Sequence, residues 1–287
     1  MTHTDDPLRL GATIGILGSG QLGRMLAIAA AQLGFKTHIY SDVSGPAFDV
    51  ASRTTTASFD DAGQVATFAE QVDVVTYEFE NVPLAAADAA LAGAPVRPGR
   101  RALEVAQHRL TEKTFLRDLG CNVPQFFGVQ SAHDLADALP QLGGRAVLKT
   151  CRFGYDGKGQ ARLTATSDAA EALGSIGGPP AIVEAHVDFD FEVSVVLARS
   201  ANGDVVHYDP SRNVHIDGIL STSTVPSGLS LEESRRPVEL ASMIAEALDY
   251  VGVLAVEFFV CKTSAPGETQ FLVNEIAPRV HNSGHWT

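Results

Sequence analysis

Cysteines and basic residues are both scarce in this 287-residue sequence, and each shortage excludes a class of protein. The three cysteines, Cys121, Cys151 and Cys261, are far apart and include no CxxC pair. We therefore expect reduced thiols, with neither a disulfide framework nor a zinc site. Only 21 Lys and Arg oppose 34 Asp and Glu, which gives a net charge of −13. This charge argues against a nucleic-acid or anionic-membrane surface, although a few local cations would suffice for a nucleotide pocket.

Long apolar runs are absent as well. The N-terminal segment is polar and acidic, without the basic start and apolar core of a signal peptide. No apolar run reaches the length of a membrane-spanning helix, so we expect a soluble, cytoplasmic protein. The hydrophobic fraction of 45% and the charged fraction of 19% are typical of globular proteins, and the length suffices for two or three domains.

A glycine-rich turn, Gly18-Ser-Gly-Gln-Leu-Gly23, follows an apolar run at residues 12–17 that is typical of a β-strand. Residues 24–33 then predict a helix and residues 36–40 a second strand, which makes a βαβ unit. Backbone N–H groups at such a turn suit a phosphate. Asp42 lies where an NAD site would have its ribose-binding acid. A dehydrogenase therefore stays open at this point, as does a turn without any ligand.

Two acids close a third predicted strand of this α/β domain, at residues 73–80. Glu78 and Glu80 are two positions apart, so they would point to the same face of a strand. They lie at the sheet edge where α/β domains bind ligands. A substrate contact and a merely solvated strand end are equally supported. We place the end of the domain near residue 105.

Lys149 is the one charged residue of an apolar strand at residues 146–150, and a Gly-rich loop at residues 152–160 follows it. A lysine beside a loop that can close suits the phosphates of a nucleotide. The spacing is not that of a P-loop. Without the loop, the simpler interpretation of Lys149 would be a surface lysine.

Glu257 and Glu275 lie in two predicted apolar strands that a turn near residues 265–266 would join into a hairpin. In such a hairpin the two glutamates lie almost opposite each other, within about 5.5 Å. Two such carboxylates repel unless a cation lies between them, and Mg²⁺ with nucleotide phosphates is the usual solution. Their apolar neighbours argue against two solvated acids. Asn274 would point to the other face and could add a ligand only through a local twist.

The segment at residues 274–287 is a short, very polar loop. Ordering it costs entropy and buries little apolar surface, so its use is expected to be chemical. Arg279, His281 and Asn282 offer hydrogen-bond donors that suit a small oxyanion such as bicarbonate. Another histidine, His215, lies in a polar segment between predicted strands, where a surface histidine is the alternative.

Together these features resemble the ATP-grasp superfamily and, within it, the ligases that carboxylate 5-aminoimidazole ribonucleotide in purine biosynthesis. Four segments carry the resemblance, the last being the most specific: residues 18–26, 76–83, 154–160 and 274–287. The resemblance implies an α/β, Rossmann-like pre-ATP-grasp domain over residues 1–105 and an α+β ATP-grasp domain over residues 106–287.

The ATP-grasp domain would comprise a Gly-rich-loop subdomain at about 111–183 and a metal-binding subdomain at about 184–287. The family continues with a small C-terminal domain that adds basic residues to the ribonucleotide site. We therefore expect this domain to be missing from the 287 residues, as it would be in a fragment or a shortened relative.

The resemblance implies that ATP phosphorylates bicarbonate to carboxyphosphate, whose carboxyl group passes to the exocyclic amine of the ribonucleotide. Mg²⁺, with Mn²⁺ as an alternative, would bind Glu257 and Glu275. The ribonucleotide would face Gly20, Gln21, Leu22, Glu80 and Tyr155, with its phosphate on the first three. Bicarbonate would lie among Arg279, His281 and Asn282. The positions that match ATP contacts are Arg109, Lys149, Gly154, Tyr155, Asp156, Gly157, Lys158, Gly159, Gln160, Glu184, Val187, Glu192, His215, Asn274 and Glu275.

The resemblance also implies a homodimer and transfer of the product to a carboxyaminoimidazole ribonucleotide mutase, with no nucleic-acid or membrane partner.

Three other functions are alternatives. A different ATP-grasp ligase or transferase would keep Lys149, Glu257 and Glu275 but would not need the loop after Arg279. A dehydrogenase rests only on the glycine turn and Asp42. A non-catalytic nucleotide-binding module would be compatible with a truncated chain.

Overall fold

A computed structural model describes residues 7–154, 158–262 and 269–287 of the chain. The strands form three sheets. A sheet of four parallel strands lies nearest the N-terminus, and two antiparallel sheets of four and six strands follow it along the chain. This order confirms the predicted succession of an α/β domain and an α+β region.

The N-terminal sheet has the strand order β3-β2-β1-β4. An α-helix joins the first strand to the second and the third to the fourth, and a short 3-10 helix at Pro46–Asp49 lies between the second and third. Parallel pairing requires such crossover connections. The strands are β1 (Thr13–Leu17), β2 (Lys36–Ser41), β3 (Arg53–Thr56) and β4 (Val74–Tyr77), and the helices are α1 (Gln21–Gln32), α2 (Ala62–Ala69) and α3 (Leu84–Ala90). Strand β3 was not predicted, because its sequence Arg-Thr-Thr-Thr is polar and largely exposed.

Aromatic residues fill the core between this sheet and its helices. The rings of Tyr40 and Phe68 lie 5.2 Å apart between centroids, and both residues are buried. The Tyr40 hydroxyl donates a hydrogen bond to the carbonyl of Ser58 at 2.7 Å, so the polar tip of this buried ring is satisfied. This packing holds the carboxyl ends of β1 and β4, which carry the site residues of the domain.

Helix α4 (Arg100–Ala106) and helix α5 (Arg109–Asp118) lead from the first sheet to the second, whose strand order is β5-β8-β6-β7. Its remaining elements are β5 (Phe126–Val129), α6 (Ala132–Gln141), β6 (Arg145–Thr150), β7 (Gln160–Thr164), α7 (Ala169–Ser175) and β8 (Ala181–Ala185). Leu135 and Leu139 of α6 pack with Leu148 of β6 in a buried cluster. Lys149 follows Leu148 and points to the opposite face of the sheet.

The third sheet has the order β12-β11-β9-β13-β14, and β10 also pairs with β9. Its strands are β9 (Phe191–Arg199), β10 (Val205–His207), β11 (Ser211–Ile216), β12 (Ile219–Thr224), β13 (Gly252–Lys262) and β14 (Thr269–Ala277). Helix α8 (Leu231–Ala247) covers the sheet with Leu240 and Ile244, which are buried against it. The predicted hairpin of β13 and β14 is confirmed, while its predicted turn at residues 265–266 lies outside the described residues.

Two predicted positions are wrong. Strand β4 ends at Tyr77, so Glu78 and Glu80 lie beyond it and the argument that they share a strand face does not apply. His215 lies within β11 and not between strands. Strand β11 was not recognised from the alternation of apolar residues, because its sequence, Ser-Arg-Asn-Val-His-Ile, is mostly polar.

Candidate active site

One cleft with a volume of about 1360 Å³ lies between the three sheets. Among the described residues, the predicted site residues that line it are Gln21, Leu22, Glu80, Arg109, Lys149, Gly154, Lys158, Gln160, Glu184, Val187, Glu192, His215, Glu257, Asn274, Glu275, Arg279, His281 and Asn282. Gly20 and Gly159 do not line the cleft. The predicted residues Tyr155, Asp156 and Gly157 lie outside the described residues.

The glycine turn before α1 is occupied by a carboxylate of the protein itself. Glu78, which is 7% exposed, accepts hydrogen bonds from the N–H groups of Gly20 and, at 2.6 Å, of Gly23. A Cβ at Gly18 would lie 2.5 Å from Glu78 Cγ, so glycine is required by this close approach. A negative charge is favourable at a helix N-terminus, and here the chain supplies it. The predicted contact of Gly20 with a phosphate does not fit this geometry.

Glu80 connects the N-terminal domain to the loop near the end of the sequence. Its Oε2 accepts a hydrogen bond from Arg279 Nε at 2.6 Å. Burial would raise the pKa of Glu80, but the hydrogen bond and charge of Arg279 outweigh burial and lower it. The carboxylate is therefore charged, and it fixes the guanidinium of Arg279 at the cleft wall.

Glu184 holds two lysines at the base of the cleft. Its Oε2 lies 3.2 Å from Lys149 Nζ and 3.2 Å from Lys113 Nζ. Burial alone would raise the pKa of Glu184, but the two ammonium groups outweigh it and lower the pKa to about 2. Lys149 is thus held by a buried carboxylate with its ammonium group facing the cleft.

The loop after β6 is braced by Arg109. The guanidinium donates hydrogen bonds to the carbonyl groups of Thr150 at 3.3 Å and Gly154 at 3.0 Å. A polar pair also lines the cleft, where Glu192 Oε2 and His215 Nδ1 are 2.7 Å apart. This hydrogen bond raises the pKa of His215. The pair joins β9 to β11.

Glu257 and Glu275 are cross-strand partners, as predicted. The pairing slips by one residue beyond them, because Phe258 lies opposite Val273. Asn274 is therefore the extra residue of a β-bulge, which breaks the alternation of the strand. The bulge lets Asn274 and Glu275 line the same cleft although they are adjacent in sequence. This bulge is the local twist that Asn274 needs in order to contribute an oxygen ligand.

The two glutamates and Asn274 suit a divalent cation. Burial and then the charge of Glu275 raise the pKa of Glu257 to about 8, so a cation beside this pair would be strongly favoured. Asn274 Oδ1 is buried and lacks a hydrogen-bond partner among the described residues. These oxygens are ligands that a hard cation prefers. No group of three or more His, Cys, Asp or Glu side chains in the described ranges could hold a metal, so phosphate oxygens and water would complete the shell.

His281 lies beside this pair. Its Nε2 is 3.3 Å from Glu257 Oε1, and its Nδ1 is 2.9 Å from the hydroxyl of Ser283. The N–H of Ser283 also donates to Nδ1 at 3.4 Å, which assigns the proton of the neutral ring to Nε2. Burial and then the charge of Arg279 lower the pKa of His281 to about 4, so the ring is neutral at pH 7.

Two buried residues of α5 were not predicted as site residues. Glu112 lines the cleft, and Lys113 lies behind Glu184. The available signal was the position of Lys113, three residues before the buried Leu116 on the same stripe of the helix. A charge where the helical period calls for an apolar residue indicates a buried partner.

Two family models match the chain. The ribonucleotide synthetase preATP-grasp domain matches residues 11–107, and the ATP-grasp domain matches residues 114–287. The fold and the cleft are thus those of an ATP-grasp enzyme with a preATP-grasp domain before the ATP-grasp domain.

Comparison with individual relatives identifies a family within the ATP-grasp enzymes. The N5-carboxyaminoimidazole ribonucleotide synthase of Brucella melitensis is 49% identical over 283 residues, which cover 98% of this chain and 77% of the relative. The crystal structure of the synthetase from Thermus thermophilus is 44% identical with a TM-score of 0.86, covering 95% of this chain and 73% of that one. The Aspergillus clavatus synthase, in complex with ADP and 5-aminoimidazole ribonucleotide, is 27% identical with a TM-score of 0.84, covering 96% and 72%. The chain belongs to the N5-carboxyaminoimidazole ribonucleotide synthase family of carbon–nitrogen ligases.

Proposed function

We propose that this cleft carboxylates 5-aminoimidazole ribonucleotide with ATP and bicarbonate, as a step of purine biosynthesis. The γ-phosphoryl group of ATP passes to bicarbonate, which gives ADP and carboxyphosphate. The carboxyl group, as CO₂, then forms a bond with the exocyclic amine, while phosphate leaves and the amine loses a proton. The observation that carries the proposal is the presence of Lys149, the Glu257–Glu275 pair and Arg279 in one cleft.

Nucleotide binding is assigned to the second and third sheets. Lys149, held by Glu184, would bind the phosphates, and Arg109 braces the Gly-rich loop that would cover them. The other proposed ATP contacts are Lys158, Gly159, Gln160, Val187, Glu192, His215 and Asn274, with Tyr155, Asp156 and Gly157. When bound at Glu257 and Glu275, Mg²⁺ or Mn²⁺ supplies charge neutralisation for the phosphate oxygens.

Bicarbonate binding is assigned to Arg279, His281 and Asn282. Arg279 supplies a fixed positive charge, because Glu80 holds its guanidinium from the other side. His281 is neutral, so its Nε2–H can donate a hydrogen bond without transferring a proton to the anion. Donors of this kind stabilise the charge that develops as an oxyanion reacts, provided that they are fixed beforehand.

Ribonucleotide binding is assigned to the side of the cleft formed by the N-terminal domain. Gln21 and Leu22 belong to the first turn of α1 and line the cleft. Glu78 accepts hydrogen bonds from Gly20 and Gly23 on either side of them, so the N–H groups of Gln21 and Leu22 would be the phosphate contacts. The Glu80 carboxylate lies on the same wall and would face the substrate together with Tyr155. Closure of the loop after β6 would exclude water and protect carboxyphosphate from hydrolysis.

The test is ADP release by the purified chain with Mg-ATP, with bicarbonate and the ribonucleotide omitted in turn. We expect release that requires bicarbonate and is stimulated by the ribonucleotide, together with incorporation of labelled carbon from bicarbonate into the product. ADP release that is indifferent to bicarbonate would overturn the proposal.

The proposed partners are small molecules. A homodimer, transfer of the product to a mutase and a cytoplasmic location rest on resemblance and stay predictions. Among the described residues, no helix has both the length and the apolar character needed to cross a membrane. The dehydrogenase alternative is wrong, since the chain belongs to a ligase family and Glu78 occupies the turn where a dinucleotide would place its pyrophosphate.

A further inference from the structure

The outer edge of β14 is bonded to side chains of α5. Strand β14 is the last strand of its sheet, and an edge strand normally leaves a row of backbone groups for water or for another strand. Here Glu112 Oε1 accepts a hydrogen bond from the N–H of Ile276 at 2.6 Å. Lys113 Nζ donates to the carbonyl of Asn274 at 2.6 Å. These are the two peptide groups on either side of Glu275.

We propose that Glu112 and Lys113 are positioning residues for Asn274 and Glu275, and so for the nucleotide-bound cation. This inference rests on the proposed function, because it takes Glu275 as a cation ligand. A peptide group is planar, so fixing the groups before and after Glu275 also fixes its φ and ψ angles. The bulge would otherwise have greater freedom, since its extra residue has no cross-strand partner.

Stability alone does not account for these two side chains. Glu112 is 3% exposed and Lys113 is 2% exposed, and buried ionisable groups are expensive to desolvate. Apolar residues of similar volume at such positions are often neutral or stabilising. An apolar pair could fill the space under β14, but it could not bond the N–H and the carbonyl that flank Glu275. The chemistry of the pair therefore matches a positioning role.

Lys113 also links the cation site to the nucleotide site. Its ammonium group lies 3.2 Å from Glu184 Oε2, and the same oxygen lies 3.2 Å from Lys149 Nζ. Glu184 and Lys149 belong to the second sheet, whereas Asn274 and Glu275 belong to the third. The ammonium group of Lys113 thus contacts both the carboxylate that holds the proposed phosphate-binding lysine and the carbonyl group next to the proposed metal ligand.

The experiment compares Glu112→Leu, Glu112→Gln and Lys113→Met with the wild-type chain. Binding of Mn²⁺ in the presence of ADP is followed by electron paramagnetic resonance, and the Mg²⁺ dependence of ADP release is measured in parallel. Loss of a group that orients a metal ligand typically weakens metal binding about 10- to 100-fold, which we expect for Glu112→Leu and Lys113→Met. The KM for the ribonucleotide should not change. Glu112→Gln keeps the Oε1 acceptor and should restore metal binding to within about threefold of wild type.

Unchanged Mn²⁺ and Mg²⁺ constants in Glu112→Leu, with only a lower thermal midpoint, would overturn the inference. So would a Glu112→Gln variant as impaired as Glu112→Leu, because the hydrogen bond that Oε1 accepts from Ile276 would then not account for the effect. If Lys113→Met does not fold, the comparison of Glu112→Leu with Glu112→Gln still tests the positioning role. A wild-type chain that binds Mn²⁺ with ADP but releases no ADP would contradict the proposed function and leave the positioning test intact.

Discussion

Glu78 shows what a short motif can and cannot predict about single residues. The pattern Gly18-x-Gly-x-x-Gly23 predicts a strand-to-helix turn, and β1, the turn and α1 are present. The anion at the turn could not be predicted. It is a side chain 58 positions after Gly20, brought there by the parallel pairing of β1 with β4. Glycine is required at these positions for the same physical reason in either case, because both a bound ligand and the Glu78 side chain must approach the backbone closely.

Replacing Glu78 by Gln tests this internal anion. The amide keeps the shape but turns an NH₂ group toward one of two N–H donors, and it removes the charge at the N-terminus of α1. We expect a loss of about 1–3 kcal/mol in the free energy of unfolding, measured by urea denaturation. The control is Glu70→Gln, an exposed residue at the C-terminal end of α2 that should change stability by less than about 0.5 kcal/mol. Equal stabilities of the two variants would contradict the assignment.

Replacing Glu275 by Gln tests the cation site. The change removes one charge and keeps the shape, so we expect ADP release to fall by more than about 100-fold while the thermal midpoint stays close to that of wild type. Glu246→Gln, on an exposed part of α8, is the matched control and should retain full activity. Full ADP release by Glu275→Gln would exclude this residue as a cation ligand.

Secondary-structure elements were predicted best where their pattern is strong. The alternation of β13 and β14 predicts that Glu257 faces Glu275, and the pairing confirms it. The bulge at Asn274 was not predictable, because one extra residue changes the register without leaving a mark in the local sequence. The polar strands β3 and β11 were missed for two different reasons. Strand β3 is polar and largely exposed, whereas β11 buries Ser211 and Asn213 and exposes Val214 and Ile216, the reverse of the usual pattern.

The N-terminus of helix α8 has a hydrogen-bonded cap whose contribution to stability can be tested by substitution. Ser230 Oγ accepts a hydrogen bond from the N–H of Glu233 at 3.2 Å, and the Glu233 carboxylate accepts one from the N–H of Ser230 at 2.8 Å. Ser230→Ala removes the hydrogen bond to Oγ and keeps the backbone N–H that donates to Glu233, so we expect the free energy of unfolding in urea denaturation to fall by about 1 kcal/mol. Ser234→Ala, inside the same helix, should be neutral or slightly stabilising. ADP release should be unchanged in both, because neither residue lines the cleft.

Polar links between distant segments join the three sheets at the scale of the whole molecule. The Glu80–Arg279 pair joins the first domain to the loop after β14, and Glu184 joins α5 to the second sheet through Lys113 and Lys149. The sequence predicts the two regions, because each has its own periodic pattern. It does not predict how they face each other, since a single charged side chain carries no information about its partner.

Glu184 also makes the stability of the molecule depend on pH. Its pKa is lowered from 4.5 to about 2, so its contribution to stability is complete above about pH 5 and is lost as the pH falls toward 2. Burial lowers the pKa of Lys113. In Glu184→Gln the loss of stability between pH 5 and 2 should be smaller by an amount on the order of 3 kcal/mol. Identical pH profiles in urea denaturation would contradict this account.

The Glu80–Arg279 ion pair has a consequence for how the enzyme is made. Its two residues are 199 positions apart, so a ribosome adding about 5–20 residues per second needs roughly 10–40 s to synthesise the second partner after the first. The N-terminal domain has its own sheet and core, so it can fold during that interval with Glu80 still unpaired. The cleft is then completed only when the loop carrying Arg279 leaves the ribosome. Assembly of the catalytic cleft is therefore expected to follow the folding of the N-terminal domain during synthesis.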